Sequence, residues 1–138
     1  MDEISGSVVS DCYAKGSVSG SQGYTDVGGF AGQADEGSDV SDSYSIGRVK
    51  GGTGGRDGTR GGFVGAIAYD TAFTDNYWDT STSDKRHGVG NVKNEAVISG
   101  LTSAQLQSGL PPGFDPTIWG ENTKIYSGFP YLLNNLPR

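Results

Sequence analysis

The sequence predicts an all-β chain, a parallel β-solenoid with one coil per 31–33 residues, closed by a C-terminal cap that contains a short helix. Three observations predict it. Glycine makes up 24 of 138 residues, well above the usual ~7%, and its positions keep register. A Tyr-centred segment recurs, with 31 residues from Tyr13 to Tyr44 and 33 from Tyr44 to Tyr77. The composition then changes, since all six Leu and all five Pro fall after residue 100.

The recurring segments align from end to end. Val9-Ser10-Asp11-Cys12-Tyr13-Ala14-Lys15-Gly16-Ser17-Val18-Ser19-Gly20 matches Val40-Ser41-Asp42-Ser43-Tyr44-Ser45-Ile46-Gly47-Arg48-Val49-Lys50-Gly51. Phe73-Thr74-Asp75-Asn76-Tyr77-Trp78-Asp79-Thr80 keeps the first half and then departs. Between them lie Val27-Gly28-Gly29-Phe30-Ala31-Gly32 and Arg60-Gly61-Gly62-Phe63-Val64-Gly65, with Phe30 and Phe63 33 residues apart. A sustained period of this length marks a repeat architecture.

Helical repeats are excluded, because Gly costs ~1 kcal/mol inside a helix and Ser, Asp and β-branched residues are poor formers. Alternation such as Gly47-Arg48-Val49-Lys50-Gly51 reads as a short strand between turns. Each repeat then holds two kinds of strand, the Tyr kind and the Gly-Gly-Phe kind. Each is expected to stack in parallel on its own kind about 4.8 Å away. Crossovers of parallel strands favour a right-handed path. Glycine supplies the positive φ that sharp turns need. The stretches Gln33–Asp39 and Gly52–Thr59 read as loops that bulge from one side.

Thr80–Asn91 is polar and turn-prone. Thr102-Ser103-Ala104-Gln105-Leu106-Gln107 offers an N-cap and good helix formers, stopped by Gly109 and the Pro111-Pro112 pair, so a helix is expected over about 101–108. Residues 1–94 read as the repeat region and 95–138 as a C-terminal cap over the open end of the stack, within one structural domain. An uncovered end would leave strand edges free to pair with other chains.

These residues resemble the GLUG motif, a repeat named for its Gly-Leu-any-Gly pattern. Gly-Gly-Phe-Ala-Gly and Gly-Gly-Phe-Val-Gly look like its core, with Phe30 and Phe63 where Leu is usual, and the Tyr segments look like its flanks. Tyr77-Trp78-Asp79-Thr80, Gly100-Leu101-Thr102-Ser103-Ala104-Gln105-Leu106, Ile118-Trp119-Gly120 and Gly128-Phe129-Pro130-Tyr131-Leu132 look like the region that often closes such repeats. The resemblance implies a segment of a secreted or surface-attached bacterial protein, such as a filamentous-haemagglutinin-like adhesin or the non-catalytic part of an IgA-type peptidase. It implies adhesion, a host or bacterial surface protein or glycan as partner, and a longer parent chain. It implies no catalytic residue and no cofactor, so none is assigned. The alternative is a glycan-binding or accessory module of a larger secreted hydrolase, for which an exposed aromatic strip beside a groove would speak.

Composition narrows the rest. A net charge of −6 and no Lys/Arg cluster argue against nucleic-acid binding. One Cys excludes an internal disulfide, and one His with it excludes the usual zinc site. No apolar run approaches the ~18 to 20 residues of a membrane span. Met1-Asp2-Glu3 does not begin a signal peptide, so any targeting signal is expected outside this segment. Cys12 aligns with Ser43 and Asn76 and reads as a small structural slot rather than a nucleophile. His87, in a charged turn, reads as a solvated loop residue. Asp11, Asp42 and Asp75 form a column that reads as turn caps rather than a Ca²⁺ site. Tyr13, Tyr44 and Tyr77, with Trp78, read as packing rather than a sugar-stacking strip. Gly52–Thr59 lacks the Gly-Lys-Ser/Thr ending of a phosphate loop.

Overall fold

The computed structural model describes residues 1–20, 25–51, 59–68, 70–91 and 98–137. The first pass of the chain holds β1 (Glu3–Ser5), β2 (Val8–Ser10), β3 (Tyr13–Ala14), β4 (Val18–Ser19) and β5 (Val27–Gly28). The second repeats them as β6 (Ala31–Asp35), β7 (Asp39–Ser41), β8 (Tyr44–Ser45), β9 (Val49–Lys50) and β10 (Arg60–Gly61). The third supplies β11 (Val64–Ile67), β12 (Ala72–Thr74) and β13 (Asn76–Asp79). Then come β14 (Ile98–Leu101), a one-turn helix α1 (Ser103–Leu106), β15 (Trp119–Gly120) and β16 (Tyr131–Leu132).

Every strand of the passes pairs in parallel with its counterpart. The sheets run β1-β6-β11, β2-β7-β12, β3-β8-β13-β14, β4-β9 and β5-β10, and among the described strands only β15 and β16 pair antiparallel. The pairing register is the sequence period, with Tyr13 opposite Tyr44 and Tyr44 opposite Tyr77. The chain is therefore all-β with parallel sheets, as expected. Like strands stack on like. Among the described residues the passes nevertheless carry five pairing positions rather than two kinds of strand. Gln33–Asp35, expected in a loop, belong to β6 because Glu3–Ser5 and Ala66–Ile67 pair there. The stretch 52–58 lies outside the described residues.

The glycine pairs are set by space. A Cβ on Gly28 would lie 2.0 Å from the Ala31 carbonyl oxygen, where the chain folds back on itself. A Cβ on Gly62 would lie 2.1 Å from the Trp78 ring. Inside the passes, Phe30 and Phe63 stack at 4.6 Å with ring planes 6° apart. Ile4, Ala34, Val40, Val64, Val89 and Ile98 complete this interior. The third pass has no matching Phe. Val89 pairs with Val64, which places Gly88 where a third Phe would sit, and Trp78 fills that space from the neighbouring sheet, within 2.8 Å of where a Gly88 Cβ would be.

A second cluster lies on the outer side of β3, β8 and β13. Tyr44, Tyr77, Leu106, Phe114 and Trp119 form it, with Tyr13, Leu110, Tyr126 and Phe129 packed against them. The C-terminal segment thus runs across the flank of all three passes, rather than lying over the last one alone. The physical reason is that period-2 alternation sends Ala14, Ser45 and Trp78 inward and the tyrosines outward, where their rings need cover. Ile98–Leu101 add a fourth parallel strand to that sheet. The boundary expected at residues 94–95 falls in 92–97, outside the described residues. The expected helix is shorter, Ser103–Leu106, and carries a reciprocal capping box in which Thr102 accepts from the Gln105 N–H and Gln105 reaches back. Among the described residues no helix is long and apolar enough to cross a membrane.

Candidate functional site

Tyr44 and Tyr77 of the tyrosine column are buried by packing. Tyr13 and Tyr44 stack at 5.6 Å and 14°, while Trp119 tilts against both at 6.2 and 5.9 Å. The Tyr44 hydroxyl donates to the Pro130 carbonyl and that of Tyr77 to the Pro112 carbonyl. Burial pushes the Tyr44 phenol far above its ordinary value, with the neighbouring Tyr126 and Tyr13 adding to the rise. Burial also raises Tyr77, helped by Asp75 and Asp42. Trp78 is buried in the interior, with its ring N–H directed at the Lys85 carbonyl. Only Tyr13, at the first pass, keeps partial exposure.

Asp11, Asp42 and Asp75 hold the corners, and all three adopt left-handed backbone, with φ of 52°, 48° and 53°. Asp tolerates that region far better than most residues. The bonds that close these corners come from the next position. Cys12 Sγ donates to the Ser10 carbonyl and Ser43 Oγ to the Ser41 carbonyl. The same side chains join the passes, since Cys12 N–H donates to Ser43 Oγ and Ser43 N–H to Asn76 Oδ1. The three Asp thus share a left-handed corner conformation, while the local bonds across the first two corners are made by the residue that follows. Chelation by EDTA is expected to leave the melting temperature unchanged, whereas a drop restored by Ca²⁺ would assign the column to metal binding.

Asp42 lies between like charges. Its carboxyl titrates above the ordinary Asp range, chiefly because burial disfavours the charge; a hydrogen bond from Ser41 opposes that, and Asp11, Asp75 and Asp115 reinforce it. A folded-state value above the unfolded one means the folded chain holds the proton more tightly. Stability then falls as pH rises from the ordinary Asp value through the raised one, and levels off above it. Asp42→Asn is expected to weaken this dependence and to gain at most a few tenths of a kcal/mol at neutral pH, because solvent screens a partly exposed carboxyl and Asn also suits positive φ. Urea unfolding on both sides of the window checks it, and a less stable Asn variant at neutral pH would refute it.

Cys12 occupies the slot its alignment with Ser43 and Asn76 describes. Burial first, and Asp11 second, raise its thiol, so it stays protonated at neutral pH. Cys12→Ser is expected to change stability by less than about 1 kcal/mol, since a hydroxyl can repeat the bond that Ser43 makes. A larger loss by thermal melting would refute the slot. His87 is exposed, and its carbonyl accepts from Gly62 N–H.

Asp79 was invisible to repeat alignment, because its counterparts are Lys15 and Ile46. It is fully buried. One oxygen accepts from the N–H groups of Ser81 and Thr82 and the other from the Ser103 hydroxyl, tying the third pass to α1. The sequence signal was the Asp-Thr-Ser-Thr run, which suits an Asx turn.

The structure also assembles a groove that sequence reasoning missed. It has a volume of about 440 Å³ and is lined by Asp11, Cys12, Tyr13, Lys15, Leu132 and Asn135. It opens where the first pass meets β16. Trp119 Nε1 donates to Asp11 Oδ1 at 3.0 Å and fixes that carboxylate. Lys15 Nζ lies over the Tyr126 ring at 5.3 Å. Tyr126, Ser127 and Gly128 all have positive φ (52°, 54° and 87°), a left-handed turn that sets Tyr126 against Tyr13 at 5.4 Å. Lys15 and Asn135 are 120 positions apart, so no local pattern could have joined them.

The GLUG motif model matches residues 23–50, which span β5 to β9. No curated protein and no solved structure matches the chain.

Proposed function

The chain is a GLUG-motif repeat protein, and we propose that it serves as a non-enzymatic β-solenoid segment of a secreted or surface-attached bacterial protein, with an adhesive role. One observation carries this reading. Successive passes pair in parallel so that each residue meets its own repeat equivalent, Val9 on Val40, Tyr13 on Tyr44 and Val18 on Val49. Such a stack contacts only its neighbours and extends by repetition, which suits a stalk that presents its sides to partners. Three features fit the same role: a protonated thiol, Phe30 stacked on Phe63 in an apolar interior, and a net charge of −6.

Adhesion is tested by coating beads with the chain and measuring their retention on host epithelial cells and on bacteria. Saturable retention that soluble chain competes away is expected. Retention no better than that of beads carrying an unrelated protein of equal charge would overturn the role.

A further inference from the structure

We propose that the groove between the first pass and β16 binds a neutral saccharide through Tyr13, Asp11, Asn135 and Lys15. This deepens the adhesive reading by giving the chemistry of its partner. The groove's volume of about 440 Å³ falls within the range of small-molecule sites, ~300–1,000 Å³.

Its wall chemistry selects the class. Tyr13 stacks one face on Tyr44, has Tyr126 and Trp119 tilted against it, and lines the groove with the part of its ring that stays exposed. Leu132 adds an aliphatic side. Around them stand an acceptor-only carboxylate, a donor-only ammonium and an amide that does both. Asp11 accepts from one indole N–H, which uses only part of its acceptor capacity. Lys15 is an exposed side chain whose ammonium lies over Tyr126, and a left-handed turn fixes that ring. The ammonium is therefore oriented before any ligand arrives.

An anion meets Asp11, with Asp42 behind it at the next corner of the column. A cation meets Lys15. A purely apolar ligand would strip water from the carboxylate and the ammonium without replacing it. A pyranose answers all three conditions. It has no charge, its hydroxyls both donate and accept, and its C–H face lies flat on an aromatic ring. Cys12 contributes a small neutral thiol to the lining and takes no covalent part.

The test is a ¹H–¹⁵N titration of the whole chain with the methyl glycosides of glucose, galactose, mannose and N-acetylglucosamine. At least one is expected to bind with a Kd on the order of 1 mM and to shift amides within 11–15 and 132–135. Asn135→Ala and Lys15→Ala alter exposed side chains and should leave the melting temperature unchanged. Each is expected to weaken binding by about 5- to 10-fold, a loss typical of one hydrogen bond to a ligand. Lys50→Ala, elsewhere on the surface, should weaken nothing.

The proposal is overturned if none of the four glycosides shifts these amides at about 50 mM, far above such a Kd. It is also overturned if both variants bind like the parent, or if arginine methyl ester shifts the same amides and the glycosides do not. Beads that adhere without competition by any glycoside would leave adhesion standing and remove the saccharide. Glycoside binding without bead retention would do the reverse.

Discussion

A chain that stops at Asn91 is expected to lose cooperative unfolding and to aggregate. The truncation strips β14 from β13, leaving the four residues Asn76–Asp79 as an open parallel edge. It also removes Leu106, Phe114 and Trp119 from the cluster they form with Tyr44 and Tyr77. Open edges and a large apolar patch together favour association with other chains. Thermal melts and size-exclusion chromatography read the result. A monomeric fragment that melts cooperatively near the parent temperature would show that the flank segment is dispensable, and would divide the chain into two independent units.

The largest effect from a single residue is expected at Trp119. Its side chain is 1% exposed, stacks on Phe114 at 4.6 Å and tilts against Tyr13 and Tyr44. Trp119→Ala is expected to cost about 3–5 kcal/mol, as aromatic-to-Ala changes in cores do. Part of that loss comes from Asp11, whose carboxylate loses the indole donor. Trp119→Phe keeps a ring and removes the hydrogen bond, and should cost less than Trp119→Ala by urea unfolding. If both variants match the parent, the flank cluster does not hold the C-terminal segment in place.

Much of the stack could be read from residue spacing. The Tyr and Gly-Gly-Phe periods gave the pairing register, because identical side chains at a fixed interval favour stacking on themselves. The slot shared by Cys12, Ser43 and Asn76 was legible for the same reason. The number of sheets was not, since strands of two residues that run into the Gly-Gly-Phe blocks, such as β5 and β10, are too short to show alternation. The third interior aromatic was also hidden. The Gly-Gly-Phe block does not recur a third time, and the space is filled by Trp78 from another sheet. The placement of the C-terminal segment on the flank depended on which way the tyrosines face. Apolar content alone could not distinguish a side from an end. The groove joins residues from both ends of the chain, and each of them alone is an ordinary surface residue.

The pairing intervals also say how this fold absorbs length. Val18 meets Val49 at 31 residues, yet Val27 meets Arg60 at 33. The two extra residues therefore enter between β9 and β10, and every later position is carried forward in step. Further on, Val64 meets Val89 at 25 and Tyr77 meets Ser99 at 22, so the last circuit is shorter and still lands in register. Chain length is thus an adjustable quantity on the excursions between sheets and a fixed one within them. Insertions and deletions should accumulate at the bends, where a peptide epitope or tag could be spliced in without disturbing the rungs on either side.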